Sequence, residues 1–288
     1  MATVAKKKTD ARLLTAQLLL TPAVAMLFIW MIVPLVMTLY NSMLNYNLLS
    51  ADTISFAWFD NYKYLYQDPD FWVSILNTVI MLVSVLAISI VLGTLLAWLY
   101  DQDFKGRNIA RLFVIAPFFV MPTVSALLWK NMMLHPVYGM FAAISHAFGL
   151  PAVDWFKDYP MLSIIIILSW QWMPFAFLIL LTSIQSVDSE QKEAAKIDGA
   201  KPWHIFVYII LPHLKRSISV VVMIEAIFLL SAFAEIHITT SGGPGNATTN
   251  LTYFVFLRGI AQFDIGLASA GGVIAVILAN IISFFLIR

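Results

Sequence analysis

The sequence predicts an all-α membrane protein with six transmembrane helices. Its residues are 61% hydrophobic and only 11% charged, and its mean hydropathy is +0.85. Soluble domains contain about 45–50% apolar and about 25% charged residues. Six apolar stretches are also long enough to cross a bilayer, which takes about 20 residues of helix. Most of the chain therefore faces lipid or other apolar helices, and we expect residues 1–288 to form a single transmembrane domain.

The spans are expected near residues 14–40, 73–99, 109–134, 161–183, 217–240 and 266–287. The first span could be mistaken for a secretory signal, because it follows Lys6, Lys7, Lys8 and Arg12. It is too long for the apolar region of a signal peptide, so we interpret it as an uncleaved helix. Prolines in the first, third and fourth spans predict kinks whose freed carbonyls are satisfied by neighbouring helices.

Two further patterns predict structural roles. Residues 138–148, between the third and fourth spans, are typical of an amphipathic helix on the membrane surface, and Trp155 and Tyr159 follow as interfacial anchors. In the last span, small residues recur every four positions at Gly271, Ala275 and Ala279. This spacing favours close packing of helices in a membrane.

The distribution of basic residues predicts the orientation. If the N-terminus is cytoplasmic, 13 of the 17 lysines and arginines lie on the cytoplasmic side. The positive-inside rule expects this asymmetry. We therefore predict that both termini and the loop formed by residues 184–216 are cytoplasmic. The basic residues assigned to that side are Lys6, Lys7, Lys8, Arg12, Lys105, Arg107, Arg111, Lys192, Lys196, Lys201, Lys215, Arg216 and Arg288.

The loop formed by residues 184–216 contains a short, charged helix between two long apolar stretches. Asp188 or Ser189 can cap its N-terminus, and Gly199 supplies the left-handed residue that ends it. Pro202 then opens a second helix, which we expect Pro212 to interrupt. Adjacent alanines in the first helix leave its backbone open to close approach by a partner. The segment is therefore suited to docking into a groove.

The residues from Glu193 to Pro212 follow the pattern Glu-Ala-Ala-x3-Gly-x9-Ile-x-Leu-Pro. This pattern resembles the signature loop of bacterial ABC importer permeases, which docks onto a separate ATPase subunit. The resemblance implies the type I ABC importer permease arrangement of six helices. The alternative is an ordinary solvated helical hairpin between two spans. The docking residues that the resemblance implies are Glu193, Ala194, Ala195, Asp198, Gly199, Lys201, Leu211 and Pro212.

A second motif follows the fifth span, from Thr239 to Pro244. It looks like the Leu-Thr-x-Gly-Gly-Pro turn of permeases for sugars, polyols and glycerol phosphate, with Thr239 in place of the leucine. The resemblance is closest to the maltose-permease-like branch and, within it, to permeases of the mannitol and sorbitol type. Further matching patches, which extend the resemblance over nearly the whole chain, lie at residues 58–62, 77–78, 172–175 and 263–270.

Polar groups within the spans are candidates for a substrate path. Ionisable residues are costly inside a bilayer, so they are functional candidates by default. A polyol needs several hydrogen-bonding groups and an aromatic face against its carbons. Two alternatives stay open: Glu225 can lie near the cytoplasmic end of its span, and Glu235 and His237 can be wetted at the outer face. The candidates are Gln171, Trp172, Glu225, Ser231, Glu235, His237 and Asn280.

The resemblance implies the permease subunit of an ATP-driven importer of a sugar or sugar alcohol in the plasma (inner) membrane of a bacterium. Its implied partners are a second homologous permease, two ATP-binding subunits, an extracytoplasmic solute-binding protein, a small carbohydrate and the lipid bilayer. The chain has no Gly-x4-Gly-Lys-Ser/Thr motif, so we expect ATP and Mg on the ATPase and no cofactor on this chain. A net charge of +1 gives no footprint for nucleic acid.

Two other classes of protein compete with this interpretation. An enzyme would need convergent catalytic groups, yet the five histidines are scattered and no metal-ligand or nucleophile motif occurs in the sequence. An ion-gradient-driven secondary transporter of a small polar solute is the stronger alternative, because Glu225 and Glu235 could form a proton relay. It does not explain the Glu-Ala-Ala loop. A requirement of uptake for ATP would distinguish the two kinds of transporter.

Overall fold

The computed structural model of the protein describes the backbone of residues 2–287 and the side chains of residues 17–50 and 52–285. The described backbone is mainly helical and contains one two-stranded sheet. It divides into two compact units, Met1–Leu65 with Leu257–Val273 and Tyr66–Phe256 with Ile274–Arg288. Part of the predicted orientation depends on side chains that lie outside the described residues, namely those of Lys6, Lys7, Lys8, Arg12 and Arg288.

The first unit begins with one long helix, α1 (Ala2–Asn41). Its segment Gln17–Asn41 is long and apolar enough to cross a membrane. Large apolar side chains are exposed on all sides of this segment. A helix that is apolar all round belongs in lipid or against other apolar helices, so this exposure fits a membrane span. Pro22 and Pro34 both lie inside the unbroken helix.

A small sheet follows α1 in the first unit. Strands β1 (Leu44–Asn45) and β2 (Ser55–Phe56) pair antiparallel across a 3-10 turn at Leu48–Thr53. The Asn61 amide at the start of α2 (Asp60–Gln67) donates to the carbonyl oxygens of Ser42 and Leu44, at 2.9 and 2.8 Å. These bonds fix the chain where it leaves α1.

The second unit contains the other long helices. Its helices, together with α14, which starts in the first unit, are α3 (Pro69–Asp101), α4 (Arg107–Ile115), α5 (Pro122–Leu128), α6 (Met140–Ala147), α7 (Trp155–Asp158), α8 (Pro160–Gln185), α9 (Ser189–Ile197), α10 (Pro202–Ile205), α11 (Leu211–Leu230), α12 (Ala234–Thr239), α13 (Leu251–Phe256) and α14 (Ile265–Ile287). One 3-10 turn and three π turns connect some of them, at Ala116–Phe119, Trp129–Met133, Phe206–Ile210 and Leu257–Ala261.

Helices α3 and α8 form the centre of the second unit. A Cβ atom at Gly93 of α3 would lie 2.8 Å from Ala176 Cβ and 3.1 Å from the Phe177 backbone nitrogen, so only glycine allows this close approach. Phe177 and Leu180 of α8 are fully buried there. Small residues let helix backbones approach in this way in membrane proteins, where van der Waals packing drives association.

Within the part of the chain that the structure describes, five helical segments are long and apolar enough to cross a membrane: Gln17–Asn41, Pro69–Asp101, Pro160–Gln185, Pro202–Leu230 and Ile265–Phe285. Arg107–Phe119 and Pro122–Met133 bend by 105° at their junction and make a sixth span if they are counted together. The predicted all-α membrane fold is therefore confirmed. The third span differs from the continuous helix expected over 109–134, because Pro122 starts a new helix after the break.

The fifth span also differs from the expectation at both ends. Pro212 does not interrupt the helix, which runs from Pro202 to Leu230. A π turn precedes the proline, and there the Leu211 N–H reaches back to the Phe206 carbonyl. The wider turn accommodates a residue without an N–H. At the other end, the predicted span 217–240 is broken between Leu230 and Ala234.

Candidate functional site

Helix α9 has the capped ends that the sequence predicted. The Asp188 carboxylate accepts a hydrogen bond from the Glu190 N–H at 2.9 Å, so Asp188 and not Ser189 is the N-cap. Gly199 has a φ of 82° and ends the helix, as predicted. The N–H groups of Gly199 and Ala200 then donate to the carbonyls of Lys196 and Ala195, at 3.1 and 2.9 Å. This is a Schellman motif, which needs a left-handed residue at the glycine position.

The loop rests on a buried apolar cluster in the second unit. Ala195 and Ala200 pack against it, and its buried members include Ile184 of α8 and Ile205 and Phe206 after Pro202. The rings of Trp98 in α3 and Phe206 lie 4.8 Å apart. The cluster therefore ties the loop to both central helices.

An ion pair adds a polar connection between the loop and the central helices. Lys192 Nζ lies 3.3 Å from Asp101 Oδ2 at the end of α3 and donates to the Ile184 carbonyl of α8 at 3.1 Å. Both charged side chains are about one quarter or less exposed. Partial burial reduces the screening of such a pair by water and salt.

Most of the predicted docking residues lie on the free surface of the loop. Only Ala195 is half-buried, because it faces the apolar cluster. Sequence reasoning missed Ile197, which is 87% exposed in an otherwise polar helix, and Tyr208, which is 75% exposed. An isoleucine at the end of a charged helix is the signal that could have indicated an apolar contact. The exposed predicted residues are Glu193, Ala194, Asp198, Gly199, Lys201, Leu211 and Pro212.

A separate cavity of about 280 Å³ lies within the second unit. Four of the predicted path residues line it: Gln171, Trp172, Ser231 and Glu235. The rings of Trp172 and Phe228, which also lines the cavity, lie 5.1 Å apart. The other lining residues are Pro122, Leu168, Ala232, Phe233 and Ala234.

Two helix breaks meet at this cavity, the one before Pro122 and the one between Leu230 and Ala234. A break frees backbone carbonyls, which must find partners at membrane depth. Gln171 Nε2 donates to the Val120 carbonyl at 3.2 Å at the first break. At the second, Thr252 donates to the Leu230 carbonyl at 2.8 Å and Asn250 to the Ala232 carbonyl at 2.7 Å. Side chains thus stabilise irregular backbone beside the cavity.

The sequence from residue 68 to residue 288 matches the family described as "Binding-protein-dependent transport system inner membrane component". The chain belongs to this family. Its members are permeases, so the chain is a transport subunit and not an enzyme. The same finding contradicts the alternative of an ion-gradient-driven secondary transporter.

Individual proteins agree with the family assignment. The permease is similar to the probable ABC transporter permease protein y4oQ of Sinorhizobium fredii, with 31% identity over 98% of this chain and 92% of that protein. It is also similar to the sulfoquinovosyl glycerol transport system permease protein SmoG of Agrobacterium fabrum, with 29% identity over 96% and 90% of the two chains.

A solved structure shows the fold. A chain from the crystal structure of a bacterial alginate ABC transporter, in complex with an alginate pentasaccharide-bound periplasmic protein, has a TM-score of 0.80 and 23% identity. The match covers 98% of the permease and 94% of that chain.

In the permease, two of the resemblance patches form one structural feature. The Asn77 amide donates to the carbonyls of Asn246 and Thr249, at 2.8 and 3.0 Å. Gly242 has a φ of 82°, and a Cβ atom there would lie 2.5 Å from Thr249 Oγ1. The Gly-Gly-Pro turn is thus fastened to α3 by Asn77 and requires glycine at position 242.

Three predicted path residues do not line the cavity. Glu225 is fully buried, and its carboxylate faces the Ser89 hydroxyl without a hydrogen bond of normal geometry. The exposed His237 stacks on Phe233 at 5.1 Å between ring centroids. The exposed Asn280 donates to the Val276 carbonyl of its own helix at 2.8 Å. All three stay predictions for the path, since polarity within a span does not give the direction in which a side chain points.

Proposed function

We propose that this permease translocates a sugar or sugar alcohol in an ATP-driven importer and that the cavity is part of the substrate path. The observation that carries the proposal is the meeting of two helix breaks at one cavity with polar and aromatic walls. Discontinuous helices are typical of transporter binding sites, since irregular backbone is tolerated in a membrane where it lines a cavity. A relative named for trehalose and maltose, the permease MalF of Thermococcus litoralis, supports the substrate class.

The cavity walls suit a polyhydroxyl compound. The rings of Trp172 and Phe228 offer apolar faces to sugar carbons, and Gln171, Ser231 and Glu235 offer hydrogen-bonding groups to hydroxyls. Ligand pockets commonly combine mainly apolar walls with a few convergent polar groups. Mannitol and sorbitol are the first substrates to test, because the sequence most resembles permeases of that type.

Coupling to ATP hydrolysis is assigned to the loop formed by residues 184–216, with residues 1–288 acting as one permease domain. The exposed face of α9 and the apolar Ile197 offer a docking surface to a cytoplasmic ATPase. The Lys192–Asp101 ion pair and the apolar cluster beneath Ala195 would carry its movement to α3 and α8. The ATPase, not this chain, would hold ATP and Mg.

The proposed assembly contains a second homologous permease, two ATP-binding subunits and an extracytoplasmic solute-binding protein in the inner membrane of a bacterium. The family's description as an inner membrane component supports this location. The solved alginate transporter, which holds a periplasmic protein, supports the presence of a binding protein. Both termini and the α9 loop would face the cytoplasm.

The test is uptake by the whole complex in proteoliposomes. We expect labelled mannitol or another carbohydrate to accumulate only with ATP inside and to be unaffected by an ionophore. Uptake that ignores ATP and collapses with the ion gradient would contradict the proposal.

A second measurement tests docking. Ile197→Asp should reduce co-purification of the ATPase, because a charge replaces an exposed apolar contact. Leu49→Asp is the matched control, since Leu49 is 77% exposed but lies outside the loop. Equal ATPase recovery with both variants would contradict the proposed docking surface.

A further inference from the structure

The charge of the cavity lining is distinctive. Among the residues that the structure describes, the lining contains one carboxylate, Glu235, and no lysine, arginine or histidine. Glu235 is only 4% exposed. The cation Lys130 does not line the cavity, and its Nζ donates to the Ile238 carbonyl at 2.7 Å. The described walls therefore offer no cationic partner to a ligand.

The uncommitted polar atoms of the lining are mainly acceptors. Gln171 uses Nε2 to donate to the Val120 carbonyl, and its Oε1 is buried without a hydrogen-bond partner. Ser231 donates its hydroxyl proton to the Phe228 carbonyl at 2.8 Å, which leaves its oxygen as an acceptor. The Glu235 carboxyl adds further acceptor sites. The neutral donors that remain among these side chains are the Trp172 indole N–H and the second N–H of Gln171 Nε2.

Such a cavity discriminates between ligands by charge. A hydroxyl group can donate to the Glu235 carboxyl and to the Ser231 oxygen, whereas Gln171 Oε1 is too deeply buried to meet a ligand. A carboxylate, sulfonate or phosphate has only acceptor oxygens to present and would be buried without a cation, which is strongly unfavourable. An ionised Glu235 would add like-charge repulsion against such an anion.

From these groups we infer that the cavity accepts uncharged or cationic sugars and polyols and rejects anionic ones, with Glu235 as the specificity-determining residue. This inference rests on the proposed function. A volume of about 280 Å³ has room for about one sugar unit, since small-molecule pockets occupy about 300–1,000 Å³.

The experiment measures ATP hydrolysis by the purified complex in proteoliposomes, normalised to assembled protein, without the binding protein and with high concentrations of each sugar. The probes are mannitol and glucose as uncharged sugars, glucosamine as a cation, and glucuronate and glucose 6-phosphate as anions. Stimulation of ATP hydrolysis is expected from mannitol, glucose and glucosamine and not from glucuronate or glucose 6-phosphate. Size-matched variants Glu235→Gln and Glu225→Gln are measured in parallel, because both carboxylates are buried but only Glu235 lines the cavity.

Glu235→Gln should lower the response to uncharged sugars by about 5- to 30-fold, the loss of one charge-assisted hydrogen bond. It should also raise the ratio of anionic to uncharged response at least about tenfold, because the like charge is gone. Glu225→Gln should change neither quantity.

Two results would overturn the inference, each with a different meaning. If an anionic sugar stimulates the wild type as well as mannitol does, or if Glu235→Gln leaves the ratio unchanged, the selectivity is wrong while the proposed function stands. If no carbohydrate stimulates hydrolysis without the binding protein, the selectivity is wrong; the proposed function is wrong as well only if the complete complex, with its binding protein and ATP, also takes up no carbohydrate.

Discussion

Replacing Gly199 by valine should uncouple the permease from its ATPase. Gly199 has a φ of 82°, which a β-branched residue adopts only with strain. A Cβ atom at this position would meet nothing within 4 Å, so the whole effect comes from the backbone and not from a steric clash. The Schellman bonds from Gly199 and Ala200 to the last turn of α9 would be lost or distorted.

The expected cost follows from the left-handed conformation. A non-glycine residue pays about 1–3 kcal/mol there. If this strain lowers the free energy of docking by the same amount, the affinity for the ATPase falls about 5- to 140-fold, since about 1.4 kcal/mol is a factor of ten. Asparagine tolerates this region better than valine does, so Gly199→Asn should retain most of the affinity.

The chain contains a matched control at Gly149. This glycine has a φ of 70°, also meets nothing within 4 Å, and ends α6 with the same bonding pattern, from Gly149 to His146 and from Leu150 to Ser145. Gly149→Val therefore imposes a similar local strain at a helix end outside the 184–216 loop.

The assay is ATPase recovered per permease from detergent extracts, together with carbohydrate uptake. Membrane insertion should survive in both variants. Gly199→Val should lose ATPase and uptake, while Gly149→Val should keep the ATPase. Equal losses in the two variants, or normal uptake by Gly199→Val, would refute the reasoning.

Three further predictions concern orientation, the external turn and the buried carboxylate. The chain contains no cysteine, so single introduced cysteines can be probed without background. Ser189→Cys should react with an impermeant thiol reagent only after permeabilisation, whereas Ala143→Cys should react in intact cells. The reverse pattern would overturn the predicted orientation. Asn77→Ala leaves two carbonyls unpaired and should destabilise the solubilised complex by about 1–3 kcal/mol, which is measured as a lower Tm. Asn280→Ala removes only a bond within its own helix and should leave the Tm unchanged. Glu225→Met should keep or raise the Tm, because a buried carboxylate without a hydrogen bond is replaced by an apolar side chain. A higher KM for substrate in this variant would instead indicate that Glu225 contacts the substrate.

Local features of the coupling loop could be predicted from the sequence because short-range physics decides them. The Asp188 cap and the left-handed Gly199 each depend on a few neighbouring residues. The effect of Pro212 could not be predicted in the same way. Its missing N–H is compensated by the π turn at Phe206–Ile210, and that turn packs into a cluster formed with helices distant in sequence.

The limit of prediction from the sequence is clearer for the substrate path. Polarity within a span identified seven candidates, but only tertiary packing separates Glu235, which lines the cavity, from the equally buried Glu225. Asn250 and Thr252 had no apparent role in the sequence. They stabilise the break in the fifth span by binding the Ala232 and Leu230 carbonyls, a contact that requires the chain to return after the external turn.

Two helices, α8 and α11, link the proposed docking surface to the cavity. Helix α8 contributes Ile184 to the cluster beneath α9 and Gln171 to the cavity, about 20 Å away at 1.5 Å per residue. Helix α11 likewise contributes Leu214 to the cluster and Phe228 to the cavity. Packed helices move as rigid elements, so a shift of the docked loop would displace Gln171 and Phe228 together. The cavity would then change shape at its two breaks, where the backbone is already free of regular helical bonds.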